Sequence, residues 1–136
     1  RDLLLSLAGS RTRVETAGRS YEEQYEWLRP QTDKRSDLER DLLDRLYRTG
    51  RDLPSAAQQR IEEAECKPDF VYSGKAACVF CDGPPHDEPQ QKAIDAKVRG
   101  LLREFGYRVV VIRYDRDLEE QIAEHPEVFG EGKPQV

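Results

Sequence analysis

The sequence predicts an α/β fold in which a mixed sheet is flanked by helices, and three observations lead to this prediction. Two segments carry apolar residues at three- and four-residue intervals, which is the spacing of one helix face. Three short apolar runs are rich in the β-branched and aromatic residues that favour strands. The helical and strand-like segments alternate along the 136 residues, and such alternation in a chain of this length is typical of one α/β domain.

The first predicted helix runs from Ser36 to Thr49. Ser36 and Glu39 fit the capping-box pattern of a helix start, and Gly50 is a natural helix end. One face of this helix carries four leucines: Leu38, Leu42, Leu43 and Leu46. The segment 51–64 is ambiguous, because it can form a short strand or a helical turn.

A β-hairpin is predicted next. Residues 68–72 form its first strand, and Ser73-Gly74-Lys75 has turn composition. The second strand, residues 76–81, is a continuous apolar run, which indicates burial on both faces. A second helix over 89–105 then leads to a third strand over 108–114. Because a helix connects them, the second and third strands should pair in parallel through a right-handed crossover.

The chain is predicted to have three parts. Residues 1–35 are a connector or N-terminal helical extension, in which residues 21–28 form an amphipathic turn or dock onto the core. Residues 36–126 are the main domain, which ends with a helix over 115–123. Residues 127–136 are a polar tail containing proline and glycine.

Composition limits what the domain can do and where it works. Charged residues make up 36% of the chain and the net charge is −5, which does not favour nucleic-acid binding by the domain alone. No stretch approaches the roughly 20 apolar residues of a membrane span. Three cysteines and no visible signal peptide predict free thiols in the reducing cytoplasm. Because the chain starts at Arg1 without a methionine, we expect it to be part of a larger protein.

The densest group of reactive side chains lies at one end of the predicted hairpin. Asp69 begins the first strand and Asp82 ends the second, and antiparallel pairing brings these ends together. His86 follows in the next loop. Two carboxylates and an imidazole can hold a hard cation such as Mg²⁺, partly through water. Each residue also has an ordinary explanation, as a strand-end residue, a turn residue and a solvated loop histidine respectively.

The motifs around these residues resemble those of the very-short-patch-repair endonucleases, which belong to the PD-(D/E)xK nuclease superfamily. The resemblance covers about 90 residues, from Ser36 to Tyr114, and twelve positions separate Asp69 from Cys81 as in that family. The matching segments are Ser36-x-x-Glu39, Pro68-Asp69-Phe70-Val71, Val79-Phe80-Cys81-Asp82-Gly83, His86, Asp95-x-x-x-Arg99 and Gly106-Tyr107-Arg108-Val109.

The segment from Leu53 to Gln58 also resembles nuclease domains at the C-termini of large DEAD/DEAH-type helicases, many of which act in bacterial defence against phage. The two resemblances imply a restriction-endonuclease-like fold and hydrolysis of DNA phosphodiester bonds with Mg²⁺ or Mn²⁺. They also imply a helicase or ATPase region in the same parent chain. Such a neighbour would deliver DNA to an acidic domain.

The resemblance implies a role for each site residue. Asp69 would be the central metal ligand, the main-chain carbonyl of Cys81 a second ligand, and Glu39 a ligand through water. Asp82 would orient water or bind the metal. His86 would be the general base or the acid that protonates the leaving group. Supporting roles fall to three further residues: Gln58, Asp95 and Arg99.

Two departures from the family pattern leave alternatives open. The second acid of the superfamily signature falls on Phe80, and the loop before His86 is one residue shorter and lacks the aromatic wedge that recognises a mismatch. Mismatch specificity is therefore not predicted. The first alternative is a catalytically inactive module of the same fold that binds DNA or docks another protein.

The second alternative is a structural zinc-binding domain. Its ligands would be Cys66, Cys78, Cys81 and His86, because Cys78-x-x-Cys81 has the spacing of a zinc-binding pair. However, both cysteines of this pair fall in an apolar strand, and residues three positions apart on a strand point to opposite faces.

Overall fold

The computed structural model describes residues 18–133; positions 1–17 of the predicted connector and 134–136 of the predicted tail lie outside the described residues. The helices in the described part are α1 (Tyr21–Leu28), α2 (Asp37–Arg48), α3 (Pro89–Glu104), α4 (Leu118–Ala123) and α5 (Pro126–Phe129). The strands are β1 (Ala56–Ala57), β2 (Phe70–Tyr72), β3 (Ala77–Asp82) and β4 (Arg108–Arg113). Single 3-10 turns lie at Arg29–Gln31, Glu62–Ala64, Ser73–Lys75 and Pro84–Asp87.

The four strands form one mixed sheet in the order β1-β2-β3-β4. β1 pairs with β2, and β2 with β3, in antiparallel fashion. β4 pairs with β3 in parallel, with Cys81 opposite Ile112, and α3 provides the connection between them. The predicted α/β fold with a mixed, helix-flanked sheet is confirmed, and so are the hairpin and the parallel pairing.

Apolar side chains from both faces of the sheet are buried, which explains the continuous apolar run in β3. On one face, Phe70, Val79 and Ile112 pack against leucines of α1 and α2 and against α4 and α5. On the other face, Val71 and Cys78 pack against α3. The sheet is therefore the middle layer between two sets of helices.

Two short segments outside the predicted 36–126 domain join the core. Leu28 of α1 is fully buried, as are Val128 and Phe129 of α5. The first residues of the predicted polar tail are therefore part of the folded unit. Two apolar residues between a proline and a glycine show no periodicity, so the sequence pattern gave no sign of their burial. Within the described residues, no helix has the length and apolarity needed to cross a membrane.

The ambiguous segment 51–64 forms the edge strand β1 and a 3-10 turn. Immediately after β1, Gln58 adopts a left-handed backbone conformation with φ of 56°. A positive φ is uncommon for a residue with a side chain. It occurs here at the point where the chain leaves the sheet, next to Asp69, and Gln58 N–H donates to the Asp69 main-chain carbonyl at 3.0 Å.

Candidate functional site

Nearly all of the predicted site residues line one cavity of about 580 Å³. It opens where the first turn of α2, the end of β3, the loop after β3 and the middle of α3 meet. The predicted residues that line it are Glu39, Asp69, Cys81, Asp82, His86, Asp95 and Arg99. Gln58 lies outside the lining but contacts two of these side chains. The ends of the two hairpin strands thus place Asp69 and Asp82 at one cavity.

The first half of the cavity contains two acidic side chains joined by one amide. Gln58 Nε2 donates to Glu39 Oε1 at 3.0 Å and to Asp69 Oδ1 at 3.1 Å. The main-chain N–H of Cys81 donates to Asp69 Oδ2 at 2.7 Å. These residues form what is called here the Asp69 group: Glu39, Gln58 and Asp69. Glu39 lies on α2, Gln58 directly follows β1 and Asp69 directly precedes β2. The packing of α2 against the sheet therefore fixes their spacing.

The Glu39 carboxyl group has an environment that opposes its ionisation. It is only 3% exposed, and this burial, together with the adjacent Asp69 carboxylate, raises its pKa to about 8. Hydrogen bonds from the main chain of Asp33 and from Gln58 oppose the shift. Two carboxyl groups this close do not ionise together easily. At neutral pH the pair therefore holds a proton, or needs a cation beside it.

The role of Glu39 in capping α2 differs from the sequence prediction. Ser36 Oγ accepts from the Glu39 N–H at 3.2 Å, which is half of a capping box. The Glu39 carboxylate does not complete the box, because it accepts instead from the Asp33 N–H at 3.0 Å and from Gln58. The acidic side chain therefore faces the cavity, where the resemblance required it.

The second half of the cavity contains the residues called here the His86 group: Asp82, His86, Asp95 and Arg99. His86 Nδ1 lies 2.7 Å from Asp95 Oδ2 and 3.7 Å from Asp82 Oδ1. Gln91 donates to the other oxygen of Asp95 at 2.8 Å. Burial opposes ionisation of Asp95, but the bonds from His86 and Gln91 and the charge of Arg99 together keep the pKa of Asp95 below its usual value.

Asp82 is neutralised by Arg99 through two hydrogen bonds. The guanidinium donates to Asp82 Oδ2 at 2.9 Å and to Oδ1 at 2.7 Å, and the Asp82 side chain is only 5% exposed. The same guanidinium lies 4.6 Å above the ring of Phe80, the residue at the position of the missing second acid. A carboxylate held in this way is a poor metal ligand, because a cation would have to displace Arg99.

Two places in the cavity offer donor atoms for a metal ion. Within the described residues, Asp82, His86 and Asp95 have ligand atoms that all lie within 4.8 Å of one another. Arg99 already supplies positive charge there, 3.8 Å from Asp95. Within residues 18–133 no cationic side chain forms an ion pair with Glu39 or Asp69, so their oxygen donors carry negative charge that no ion pair there balances, and Mg²⁺ and Mn²⁺ prefer such donors. The Asp69 group is the better fit for a hard cation.

The cysteines are placed as strand alternation predicts. Cys78 packs on the α3 side of the sheet, and Cys81 packs on the opposite side. The metal-compatible group found in residues 18–133 contains none of the three cysteines. Burial, followed by three nearby carboxylates, raises the pKa of Cys81 well above its usual value. A thiol kept protonated in this way is a poor zinc ligand.

Several cavity residues were not identified from the sequence. Lys67 and Arg35 are exposed cations that line the cavity, and Tyr114, which directly follows β4, lines it as well. Lys67 directly precedes the Pro68-Asp69 motif, and Gln91 lies one helical turn before Asp95. Gln91 and Asp95 are four residues apart on one helix, and their contact could have been predicted from this spacing.

No match was found when the chain was compared with models of protein families, with curated proteins and with solved structures. The class of site is therefore defined by geometry. It is an acidic cavity at the ends of the two central strands of a mixed sheet. A carboxyl pair occupies one half, and a histidine held by a carboxylate occupies the other.

Replacing Glu39 by glutamine is expected to stabilise the protein at alkaline pH. The folded-state pKa of about 8 lies above the ordinary glutamate pKa of 4.5, so the stability that depends on this proton is fully present below about pH 4.5 and is lost as the pH rises through 8. Glutamine keeps the uncharged form at every pH. We expect Glu39→Gln to exceed the wild type in free energy of unfolding by at least about 1 kcal/mol near pH 9, with a smaller difference near pH 5, as measured by urea titration.

The matched control is Glu26→Gln, which removes an exposed carboxylate of α1. It should behave like the wild type at both pH values. If the difference in free energy of unfolding between Glu39→Gln and the wild type were the same near pH 5 and near pH 9, Glu39 would not hold a proton at neutral pH.

Proposed function

We propose that this domain is a metal-dependent nuclease that hydrolyses DNA phosphodiester bonds. The observation that carries the proposal is the carboxyl pair of the buried Glu39 and the half-buried Asp69, at the wall of a cavity that also contains His86. Folding brings two acidic groups together only at a cost in free energy, and a bound cation would remove that cost. The motif resemblance supports the same chemistry.

The Asp69 group is suited to hold Mg²⁺ or Mn²⁺. Each oxygen of Asp69 accepts one protein hydrogen bond and retains a further lone pair. Asp69, the main-chain carbonyl of Cys81 and, through water, Glu39 would be the ligands. Such a cation supplies charge stabilisation for a phosphodiester and a more acidic water for its hydrolysis.

The other residues of the cavity position the substrate and move protons. Asp95 fixes the His86 ring through Nδ1, which leaves Nε2 to accept or donate a proton. Arg99 keeps Asp82 neutralised, so the Asp82 carboxylate does not repel a phosphate near His86. The exposed Lys67 and Arg35 supply positive charge at the cavity, where they attract the DNA backbone.

The parent protein is proposed to be a helicase-type anti-phage defence protein of the cytoplasm, with this domain as its nuclease part. The support is the resemblance of the Leu53–Gln58 segment and the motif that follows it. The net charge of −5 is consistent with DNA delivered by another region, because it gives the isolated domain little attraction to DNA.

An inactive module of the same fold is the second candidate, and two observations favour it. Both oxygens of Asp82 are occupied by Arg99, and the position of the second acid is Phe80. In this case the cavity would bind DNA or a protein segment without hydrolysis. The candidates differ in one measurable property, namely metal-dependent cleavage.

The test is cleavage of supercoiled plasmid and of single-stranded DNA by the full chain with Mg²⁺, with Mn²⁺ or with a chelator. We expect cleavage with either metal and none with the chelator. Metal binding is followed separately, because a cation at the Asp69 group should release the shared proton. Proton release without cleavage would favour the inactive module, whereas a folded chain with neither response would overturn the metal site itself.

A further inference from the structure

A second cavity, of about 700 Å³, lies at the opposite end of α2 from the acidic cavity. Four cationic side chains and a single carboxylate line it: Arg45, Arg48, Arg51, Lys133 and Glu119. The helix that joins the two cavities has 12 residues, which corresponds to about 18 Å. A concentration of positive charge here is unexpected in a chain with a net charge of −5.

Arg51 is the most deeply buried cation of this second cavity. It is only 8% exposed, and a buried guanidinium is costly unless its charge is balanced. Its anionic partner is Glu119, at 2.7 Å, and Arg45 also uses that carboxylate, at 3.4 Å. One negative charge therefore serves two guanidinium groups. Arg51 also donates to Thr49 Oγ1 at 3.1 Å, but the Nε atoms of both arginines are buried without a hydrogen-bond partner in the described structure, so the protein balances their charge and their hydrogen bonding only in part.

The helix end explains only part of this cluster. Arg45 and Arg48 lie in the last turn of α2, where cations are favoured by the helix dipole. Arg51 and Lys133 come after the helix, and the segment that carries Lys133 closes over Arg51. A Cβ atom on Gly132 would lie 3.2 Å from Cζ of Arg51, a tight contact, so the main chain at Gly132 lies close to the guanidinium.

We propose that this basic cavity is a binding site for a phosphate group. Guanidinium groups match phosphate oxygens with paired N–H donors, and an anion of this kind would balance the charge that Glu119 leaves uncompensated. The cavity of about 700 Å³ admits a free phosphate ion and also has room for the phosphate of a phosphodiester strand. This inference is independent of the nuclease proposal, because it uses none of the acidic cavity.

The test is calorimetric titration of the full chain in metal-free buffer, first with inorganic phosphate and then with a short single-stranded oligonucleotide. Metal-free buffer removes any binding at the acidic cavity that depends on a cation, and the variants below separate the two cavities. Arg48→Gln and Lys133→Gln each remove an exposed cation of the basic cavity, and neither should prevent folding. Lys97→Gln removes an exposed cation of α3 and is the matched control.

We expect each of the two cavity variants to weaken binding about tenfold, whereas Lys97→Gln binds as the wild type does. Binding of phosphate with this dependence identifies a site for the free group, and binding of the oligonucleotide alone with the same dependence identifies a site for a nucleic-acid backbone. The proposal is overturned if neither probe binds, or if all three variants weaken binding equally, since that pattern reflects net charge only.

Discussion

Asp69→Asn is expected to reduce metal-dependent DNA cleavage by about 10³-fold, which corresponds to about 4 kcal/mol of transition-state stabilisation. Asp69 is the carboxylate that two structural elements hold at the cavity, through Gln58 and the main chain of Cys81. Asparagine is nearly isosteric, but it removes the negative charge. It also turns one oxygen acceptor into an N–H₂ donor. The cation would then lose its central ligand.

The expected loss can be separated from a general defect. Burial first, and then Asp69, raise the pKa of Glu39, so the variant should lower that pKa only part of the way, and it should release less proton when metal is added because the central ligand is lost. Asp41→Asn is the matched control, because Asp41 is an exposed carboxylate on α2. It should cleave DNA at the wild-type rate. Wild-type cleavage by Asp69→Asn would place the metal elsewhere, with the His86 group as the remaining choice.

Much of the fold was predictable because the core-forming segments are periodic. The leucine stripe of α2 and the apolar run of β3 each indicated one type of element, and both predictions are confirmed. The burial of Val128 and Phe129 was not predictable. Two apolar residues inside a helix of only four residues become core only when a distant part of the chain provides a surface for them, and single-sequence patterns do not report that surface.

The candidate site was predictable to the extent that strand pairing determines it. The antiparallel register explains why Asp69 and Asp82 reach the same cavity. The same reasoning could not assign partners within the cavity. Asp82 faces α3 and pairs with Arg99, and Asp69 pairs with the Gln58 side chain. The direction of each side chain at a strand end depends on the local twist and on the neighbouring helix, which sequence spacing does not specify.

Arg99→Met is expected to destabilise the fold by about 3–5 kcal/mol, the usual effect of leaving a buried charge unpaired. Its partner, the Asp82 side chain, is only 5% exposed. The two oxygens of Asp82 accept hydrogen bonds from the two terminal nitrogens of Arg99. Methionine keeps an apolar stem but loses the guanidinium that lies 4.6 Å from the Phe80 ring, a contact worth about 0.5–2 kcal/mol. The larger part of the expected loss therefore comes from the Asp82 carboxylate that Arg99 no longer pairs.

Urea unfolding of three variants would test this explanation. Arg103→Met removes an exposed cation from the same helix and should change the free energy of unfolding by less than about 0.5 kcal/mol. The double variant Asp82→Asn/Arg99→Met removes both charges, and we expect it to recover most of the stability that Arg99→Met loses, because a buried ion pair contributes little net stability compared with neutral residues. Equal losses in the single and double variants would mean that Arg99 stabilises the fold through its stacking on Phe80, and that Asp82 tolerates isolation.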